Sequence, residues 1–345
     1  MRVRVCIMVL LIVSALTAGC QALIGSPPAE EEVAGRLVWP QPPLRPRIRF
    51  VKAISRPEDL GVQASFWERA WGLLVGREEE WFIRPTGVTA DERVIFIADA
   101  GAQALWILDP QGKRFRKLQQ AGVQRLVSPV AVARGPSKNI YLADSYLGKV
   151  FILDSEGKLI GAIENSNLRR PSGVAYDAAR NRLYVADSAA HRVWIFDGKG
   201  APLGVMGRRG GGNGEFNFPT HLAVDSNGGL YVVDALNFRL QIFNRDGSFA
   251  GLFGQHGDTS GHFASPKGTA VDSEGHIYVV DALFDAVQIF DRSGRYLLTF
   301  GERGIGPGQF WLPGAIFIDG LDQIYVADSY NQRIQIFQYV AGEGS

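Results

Sequence analysis

The fold of this 345-residue chain is decided by one stretch, Ser265–Gly301, which reads SPKGTAVDSEGHIYVVDALFDAVQIFDRSGRYLLTFG. Four short apolar runs separated by glycine, aspartate and serine predict strands at Gly268–Asp272, Ile277–Asp281, Val287–Asp291 and Tyr296–Phe300. Such a unit is an antiparallel meander with apolar residues on both faces. It therefore needs a copy of itself on either side to bury those faces.

Copies of this unit recur along the chain. The aspartate that closes the second strand recurs, each time after an apolar run such as IYVVD, at Asp99, Asp144, Asp187, Asp234, Asp281 and Asp328. A proline opens each unit, at Pro85, Pro129, Pro171, Pro219, Pro266 and Pro313. A period of roughly 40–50 residues with four strands per repeat is typical of a β-propeller. The sequence therefore predicts an all-β, six-bladed β-propeller with blades starting near these prolines.

The units resemble NHL repeats, in which Pro-x-Gly precedes a segment like Ile-Tyr-Val-Ala-Asp-Ser and then Asn-x-Arg before a second apolar run. The best match is LPGAIFIDGLDQIYVADSYNQRIQIF, residues 312–337, and the resemblance covers about residues 84–340. It implies a six-bladed propeller of NHL type. It implies no particular activity, because a propeller is a platform that hosts unrelated functions.

The last repeat lacks a fourth strand before the chain ends. The segment RIRFVKAI, residues 47–54, is a strand with no partner of its own in the repeat register. We expect this N-terminal strand to close the last blade, since an open blade would leave a sheet edge exposed to aggregation. The predicted propeller thus spans residues 47–340, and residues 341–345 form a tail.

The amino terminus has the features of a secretory signal. Arg2 and Arg4 precede an apolar run, Val5–Val13, that is too short to span a bilayer. The segment Leu16-Thr17-Ala18-Gly19-Cys20 resembles a bacterial lipobox, which implies a signal peptide at 1–19 and a lipid on Cys20. The alternative is a plain signal peptide with an incidental cysteine. After processing no other cysteine would remain, because Cys6 leaves with the signal.

These features predict an extracytoplasmic protein anchored to the cell envelope. Gln21 follows Cys20 where lipoproteins kept at the inner membrane tend to have Asp, which favours the outer membrane. The proline-rich residues 20–46 are interpreted as an extended tether. Lys and Arg number 36 against 35 Asp and Glu, a balance that gives no electrostatic reason to expect a nucleic-acid partner.

A short helix is predicted near residues 65–75, between the closing strand and the first blade. Ser65 and Glu68 have capping-box spacing, and Gly76 would end the helix. The apolar positions Phe66, Trp67, Ala70, Trp71 and Leu74 fall on one stripe. We expect this stripe to pack against the propeller; a membrane-facing or partner-facing helix is the alternative.

The recurring aspartates are interpreted as structural. A carboxylate at a tight turn accepts backbone N–H bonds and can pair with a cation on the next strand. The sequence offers four such pairs, namely Asp144 with Lys149, Asp187 with Arg192, Asp234 with Arg239, and Asp328 with Arg333. No catalytic residue is assigned to these positions.

One end of the propeller collects aromatic residues. Because strand direction alternates, the loops after each aspartate share a face with the segments leading into each blade, including Phe216, Phe263, Phe310 and Trp311. On this face the residues predicted to bind a partner are Tyr146, Phe238, Phe284 and Tyr330, with His221 and Lys267 near the central channel. The alternative is that half of these rings pack inward between the blades.

The functional hypothesis is a non-enzymatic scaffold that docks an envelope protein or glycan, as a monomer or within a hetero-complex. One alternative is a metal-dependent hydrolase or lyase at the central channel, suggested by His221 and Lys267; another is an accessory protein of an envelope electron-transfer or export complex. No metal site or cofactor is predicted: the five histidines lack close metal-ligand spacing. No Cys-x-x-Cys-His, P-loop or nucleophile elbow is present either.

Overall fold

The computed structural model describes residues 37–61, 81–91, 93–164 and 167–341. Six antiparallel sheets are arranged in a ring, and the first strands of neighbouring sheets contact one another around a central channel. The prediction of a six-bladed, all-β propeller is confirmed. The helix expected near 65–75, the signal peptide and Cys20 lie outside the described residues.

The strands follow the repeat almost residue for residue. The chain enters with β1 (Val38–Trp39), β2 (Ile48–Ile54) and a 3-10 turn at Pro57–Leu60. Blade 1 comprises β3 (Pro85–Ala90), β4 (Ile95–Asp99), β5 (Ala104–Asp109) and β6 (Arg114–Leu118), followed by the small hairpin of β7 (Gln120–Ala121) and β8 (Gln124–Arg125). Blade 2 comprises β9 (Pro129–Arg134), a 3-10 turn at Pro136–Lys138, β10 (Ile140–Asp144), β11 (Lys149–Leu153) and β12 (Leu159–Ile163). Blade 3 comprises β13 (Pro171–Asp177), β14 (Arg182–Asp187), β15 (Arg192–Asp197) and β16 (Pro202–Met206).

The second half of the ring repeats the plan. Blade 4 comprises β17 (Pro219–Val224), β18 (Leu230–Asp234), a 3-10 turn at Ala235–Asn237, β19 (Arg239–Phe243) and β20 (Phe249–Phe253). Blade 5 comprises β21 (Pro266–Val271), β22 (Ile277–Asp281), β23 (Ala286–Phe290) and β24 (Tyr296–Phe300). Blade 6 comprises β25 (Ile316–Ile318), β26 (Gln323–Asp328) and β27 (Arg333–Tyr339), to which β2 and β1 are added.

The ring is closed by the N-terminal strand, as the sequence predicts. β2 pairs antiparallel with β27, from Ile48 opposite Tyr339 to Ile54 opposite Ile334. Ile48, Phe50 and Ile54 are fully buried in the cores on either side of blade 6. Both ends of the chain therefore build one blade, which removes the edge that β27 would otherwise expose.

Part of the segment predicted as a tether belongs to the propeller. β1 pairs with β2 through Val38 opposite Arg49 and Trp39 opposite Ile48, so blade 6 has a fifth strand. The Trp39 ring lies 6.0 Å from that of Phe300 and 5.8 Å from that of Phe337. Proline-rich composition predicts an extended backbone; whether that backbone is solvated or joins a sheet edge depends on the neighbouring blade.

The first strands approach each other most closely at their third residue. A Cβ added to Gly87 or to Gly173 would lie 2.8 Å from a backbone oxygen of the next blade, and one added to Gly268 would lie 3.0 Å away. Ala131 and Ala315 occupy this position in blades 2 and 6. The channel is therefore tight at this level, where five of the six blades have glycine or alanine.

Candidate functional site

The two ends of the propeller differ in what they present. We call the end where the second strands finish the Asp face; it carries the loops from second to third strands and the segments that lead into each blade. We call the other end the turn face; it carries tight turns such as Ser226-Asn227-Gly228. Most of the exposed large apolar side chains in the loops described lie on the Asp face.

Each recurring aspartate holds the loops of the Asp face in place. All six carboxylates are fully buried. In blade 5, Asp281 accepts backbone N–H bonds from Ala264, Ser265 and Leu283 at 2.7–3.1 Å. The carboxylate therefore joins the segment entering the blade to the loop after the second strand, which is the geometry expected of a structural residue.

The cation partners predicted for these aspartates are present in two of the four cases. Arg239 and Arg333 are buried and donate to Asp234 and Asp328, each at 2.8 Å. The same guanidinium of Arg333 also donates to three backbone carbonyls of the loop before blade 6. In these blades the ion pair is part of a wider network that orders the loop.

The other two predicted pairs do not form. Lys149 bonds to Glu164 at 2.8 Å. Arg192 lies over the Trp194 ring at 5.8 Å, and the indole N–H of Trp194 donates to Asp187 at 3.3 Å. In blade 3 a tryptophan seven residues after the aspartate thus takes the place of the predicted cation as the side-chain partner of the carboxylate.

The segments that lead into blades 4, 5 and 6 are three long loops, and they form one half of the Asp face. In each, the buried glutamine of the third strand holds the loop backbone through both ends of its amide; these glutamines are Gln241, Gln288 and Gln335. Phe216, Phe263 and Phe310 anchor the same loops and are fully buried between blades. The expectation that these three rings lie on the binding face is wrong, because each fills the core beneath its loop.

The position two residues after the aspartate projects an apolar side chain into solvent in four blades. These side chains and their exposed fractions are Tyr146 (77%), Leu236 (53%), Leu283 (63%) and Tyr330 (51%). The backbone N–H of Tyr146 and that of Leu283 donate to the preceding aspartate at 3.1 Å, which turns the side chain outward. Together with Trp311, whose ring lies 5.9 Å from that of Tyr330, we call these residues the apolar rim.

The structure separates the four aromatic residues predicted to bind a partner into two pairs. Tyr146 and Tyr330 belong to the apolar rim. Phe238 and Phe284 are half-buried, and the Phe238 ring packs edge-on against His256 at 4.4 Å. Leu236 and Leu283 are not among the residues predicted to bind; their position two residues after the aspartate is the sequence signal that identifies them.

His221 and Lys267 occupy different environments. Lys267 is exposed on the Asp face, whereas His221 lines a cavity of about 500 Å³ in the central channel. The cavity wall includes Asp91 and Asp319–Leu321, which follow the first strands, so the cavity opens on the turn face. Burial lowers the pKa of His221 to about 4, and the ring is therefore neutral at pH 7.

Within the described parts of the chain, no three His, Cys, Asp or Glu side chains lie close enough to hold a metal ion. Those same parts contain no helix long and apolar enough to cross a membrane.

Comparisons with known proteins agree with this architecture. The NHL repeat model matches residues 168–196 and 216–243, and a model described as a 6-bladed beta-propeller matches residues 271–343. Among curated proteins, none matches the chain.

Several solved structures have a similar fold at low sequence identity. An auxiliary nutrient binding protein from Bacteroides thetaiotaomicron aligns with a TM-score of 0.57 at 15% identity, over 75% of this chain and 69% of that one. A streptogramin B lyase aligns with a TM-score of 0.58 at 11% identity, over 75% and 94%. A nidogen/laminin complex chain gives 0.54 at 17%, over 72% and 89%. These likenesses establish the fold alone, since the similar propellers are described as a nutrient binding protein, a lyase and part of a nidogen/laminin complex.

Proposed function

We propose that this six-bladed β-propeller with NHL repeats is a non-enzymatic binding scaffold that docks a protein partner on the Asp face. The observation that carries this proposal is the apolar rim. The backbone N–H groups of Tyr146 and Leu283 donate to the structural aspartates, and those of Leu236 and Tyr330 donate to carbonyls of the segments that lead into their blades. The rim therefore lies on loops that these bonds and the buried glutamines hold in place. A rigid surface with protruding apolar side chains loses little conformational entropy on binding.

The composition of the rim favours a protein over a glycan as the partner. Leu236 and Leu283 are aliphatic and have no hydrogen-bonding groups with which to recognise a sugar. Exposed leucine, tyrosine and tryptophan side chains on one face are the anchors that fill pockets at protein interfaces. The nutrient-binding protein and the nidogen/laminin chain are similar propellers whose descriptions name binding or a complex.

The charge around the rim favours an acidic partner. The exposed cations of the same loops are Arg84, Arg169, Arg170, Arg208, Arg209, Lys267 and Arg303. The carboxylates at the surface of these loops are fewer, namely Glu164, Glu215, Asp258 and Glu302. Glu164 pairs with Lys149 and Glu215 with Arg208, each at 2.8 Å. Excess positive charge would steer an acidic surface towards the rim and increase the association rate.

We expect rim substitutions to weaken binding without unfolding the protein. Leu283→Ala and Tyr330→Ala remove exposed side chains, so the melting temperature should stay within about 2 °C of wild type. Affinity for the partner should fall roughly 10- to 30-fold for each, as for central interface residues. The partner is first identified by a photo-crosslinking residue placed at position 283, and its affinity is then measured by calorimetry.

The matched control is Leu203, an equally exposed aliphatic residue on the outer strand β16. A crosslinker at position 203 should not capture the same partner, and Leu203→Ala should leave affinity unchanged. Equal capture from both positions, or unchanged affinity of Leu283→Ala, would reject the Asp face as the docking surface.

The scaffold is proposed to be extracytoplasmic and tethered to the envelope through a lipid on Cys20, on the strength of the sequence before it. Cys20→Ala should abolish incorporation of radiolabelled palmitate and leave the protein unprocessed or soluble. The measurement is label in the purified protein together with fractionation of the cells. Equal label in wild type and variant would contradict the anchor and leave the docking proposal untouched.

A further inference from the structure

The cavity in the central channel has no role in docking at the rim, which lies at the other end of the propeller. From its lining we infer that the cavity is a second binding site, entered from the turn face, for a neutral polyhydroxy molecule the size of a mono- or disaccharide. The inference is independent of the proposed docking function.

His221 forms the floor of the cavity. At the third position of the first strands, five blades have glycine or alanine, and blade 4 has His221. His221 is also the single third-position residue in the cavity lining; the other first-strand residues there come from later positions. A large polar side chain therefore stands where the repeat otherwise uses a hydrogen or a methyl group.

The floor presents a hydrogen-bond donor. The backbone N–H of Thr269, in the next blade, donates to His221 Nδ1 at 3.3 Å. Because a backbone N–H can only donate, Nδ1 is the acceptor, and the neutral ring carries its proton on Nε2. Nε2 has no acceptor among the described residues, so this N–H is available to a ligand oxygen.

The walls supply both donors and acceptors. Each first strand is the last strand of its sheet on the channel side, so its inner edge carries N–H and C=O groups outside the ladder. These groups alternate along the channel, and Tyr176 and Phe317 add aromatic surface. A molecule with many hydroxyl groups, each both donor and acceptor, matches such walls.

The charged groups in the lining are engaged in an ion pair or in hydrogen bonds, which favours a neutral ligand. Arg134 pairs with Asp91 at 3.0 Å. Asp319 accepts the N–H groups of Leu321 and Gln323 at 2.9 and 3.0 Å. With His221 neutral as well, the Asp319 carboxylate at the mouth is the one charge of the lining without an opposite charge beside it, and its oxygens already accept these hydrogen bonds. The volume of about 500 Å³ lies within the range of small-ligand sites, ~300–1,000 Å³.

The test uses D-glucose, N-acetyl-D-glucosamine and maltose as separate probes at pH 7. Saturation-transfer NMR with the soluble propeller should give signals from at least one sugar. That sugar should shift the backbone amide resonances of Thr269 and Val271 at the cavity, and leave those of Leu283 and Tyr330 unchanged. No transfer with any of the three sugars, or shifts confined to the rim, would overturn the inference.

Two variants locate the site. His221→Phe removes the donor and fills the floor, and should weaken binding at least tenfold. His221→Gln keeps an N–H donor and an acceptor for Thr269, and should stay within a few-fold of wild type. Leu283→Ala, on the rim, is the control and should bind the sugar normally. Equal affinity of wild type and His221→Phe would overturn the inference, while the docking proposal would be unaffected.

Discussion

Deleting residues 21–54 should prevent the propeller from folding as a closed ring. The deletion removes β1 and β2, and with them the fully buried Ile48, Phe50 and Ile54. Loss of each such side chain costs about 2–5 kcal/mol, so the three together cost about as much as the whole ~5–15 kcal/mol stability of a typical domain. β27 would also expose an unpaired edge that promotes aggregation. Thermal unfolding followed by circular dichroism, together with size-exclusion chromatography, measures both effects.

Two shorter deletions separate the closing strand from what precedes it. Removing residues 21–36 leaves β1 and β2 intact and should leave the melting temperature unchanged. Removing residues 21–44 takes away β1 and the contacts of Trp39 with Phe300 and Phe337, and should lower stability by about 3 kcal/mol. If the 21–54 deletion melted like the 21–36 deletion, β2 could not be the strand that closes the ring.

Asp328→Ala, like Asp234→Ala, should destabilise the protein more than substitution of a recurring aspartate that has no arginine partner. It leaves the buried Arg333 without its carboxylate and removes the acceptor of Asn331, Gln335 and the Trp311 N–H. Breaking a buried ion pair from one side costs about 3–5 kcal/mol. Because Trp311 belongs to the apolar rim, the same change should also weaken partner binding. Denaturant unfolding gives the stability, and calorimetry gives the affinity.

The comparison is Asp281→Ala in blade 5, where Ala286 stands in place of the arginine. Here only hydrogen bonds from the backbone are lost, and the cost should be about 2–3 kcal/mol. The difference in the free energy of unfolding between the two variants measures the cost of leaving the Arg333 charge without its carboxylate. Equal destabilisation would mean that the carbonyls bonded to Arg333 compensate for the missing carboxylate.

The architecture was predictable because it rests on periodic signals. The recurrence of proline and aspartate sets the number of blades, and short apolar runs set the strands within one or two residues; Tyr296–Phe300 agrees at both ends. The closing strand was also predictable, since the last repeat lacks a strand and residues 47–54 supply one. These inferences need only local pattern and the requirement that both faces of a sheet be buried.

The side chains of the candidate site were less predictable, because their environment is set by residues far away in the sequence. Phe310 and Trp311 are adjacent, yet Phe310 is fully buried and Trp311 lies on the rim. Arg192 and Arg239 hold the same repeat position. In blade 3, however, Trp194 donates to the aspartate, whereas in blade 4 Arg239 forms the ion pair. Composition predicts an aromatic and charged face without saying which side chains reach solvent.

The sequence by itself determined the blade count, the register of the strands, the aspartates that join the loops, and the strand that closes the ring. The tertiary structure decided that Trp39 packs into blade 6 and that the rim is built from the residues two places after the aspartate. It also decided that His221 faces a cavity of the central channel that opens on the turn face. The physical reason is distance along the chain. The period and polarity of the sequence specify the structure within one repeat. Burial and hydrogen bonding also depend on neighbouring blades, as between His221 and Thr269, 48 residues apart.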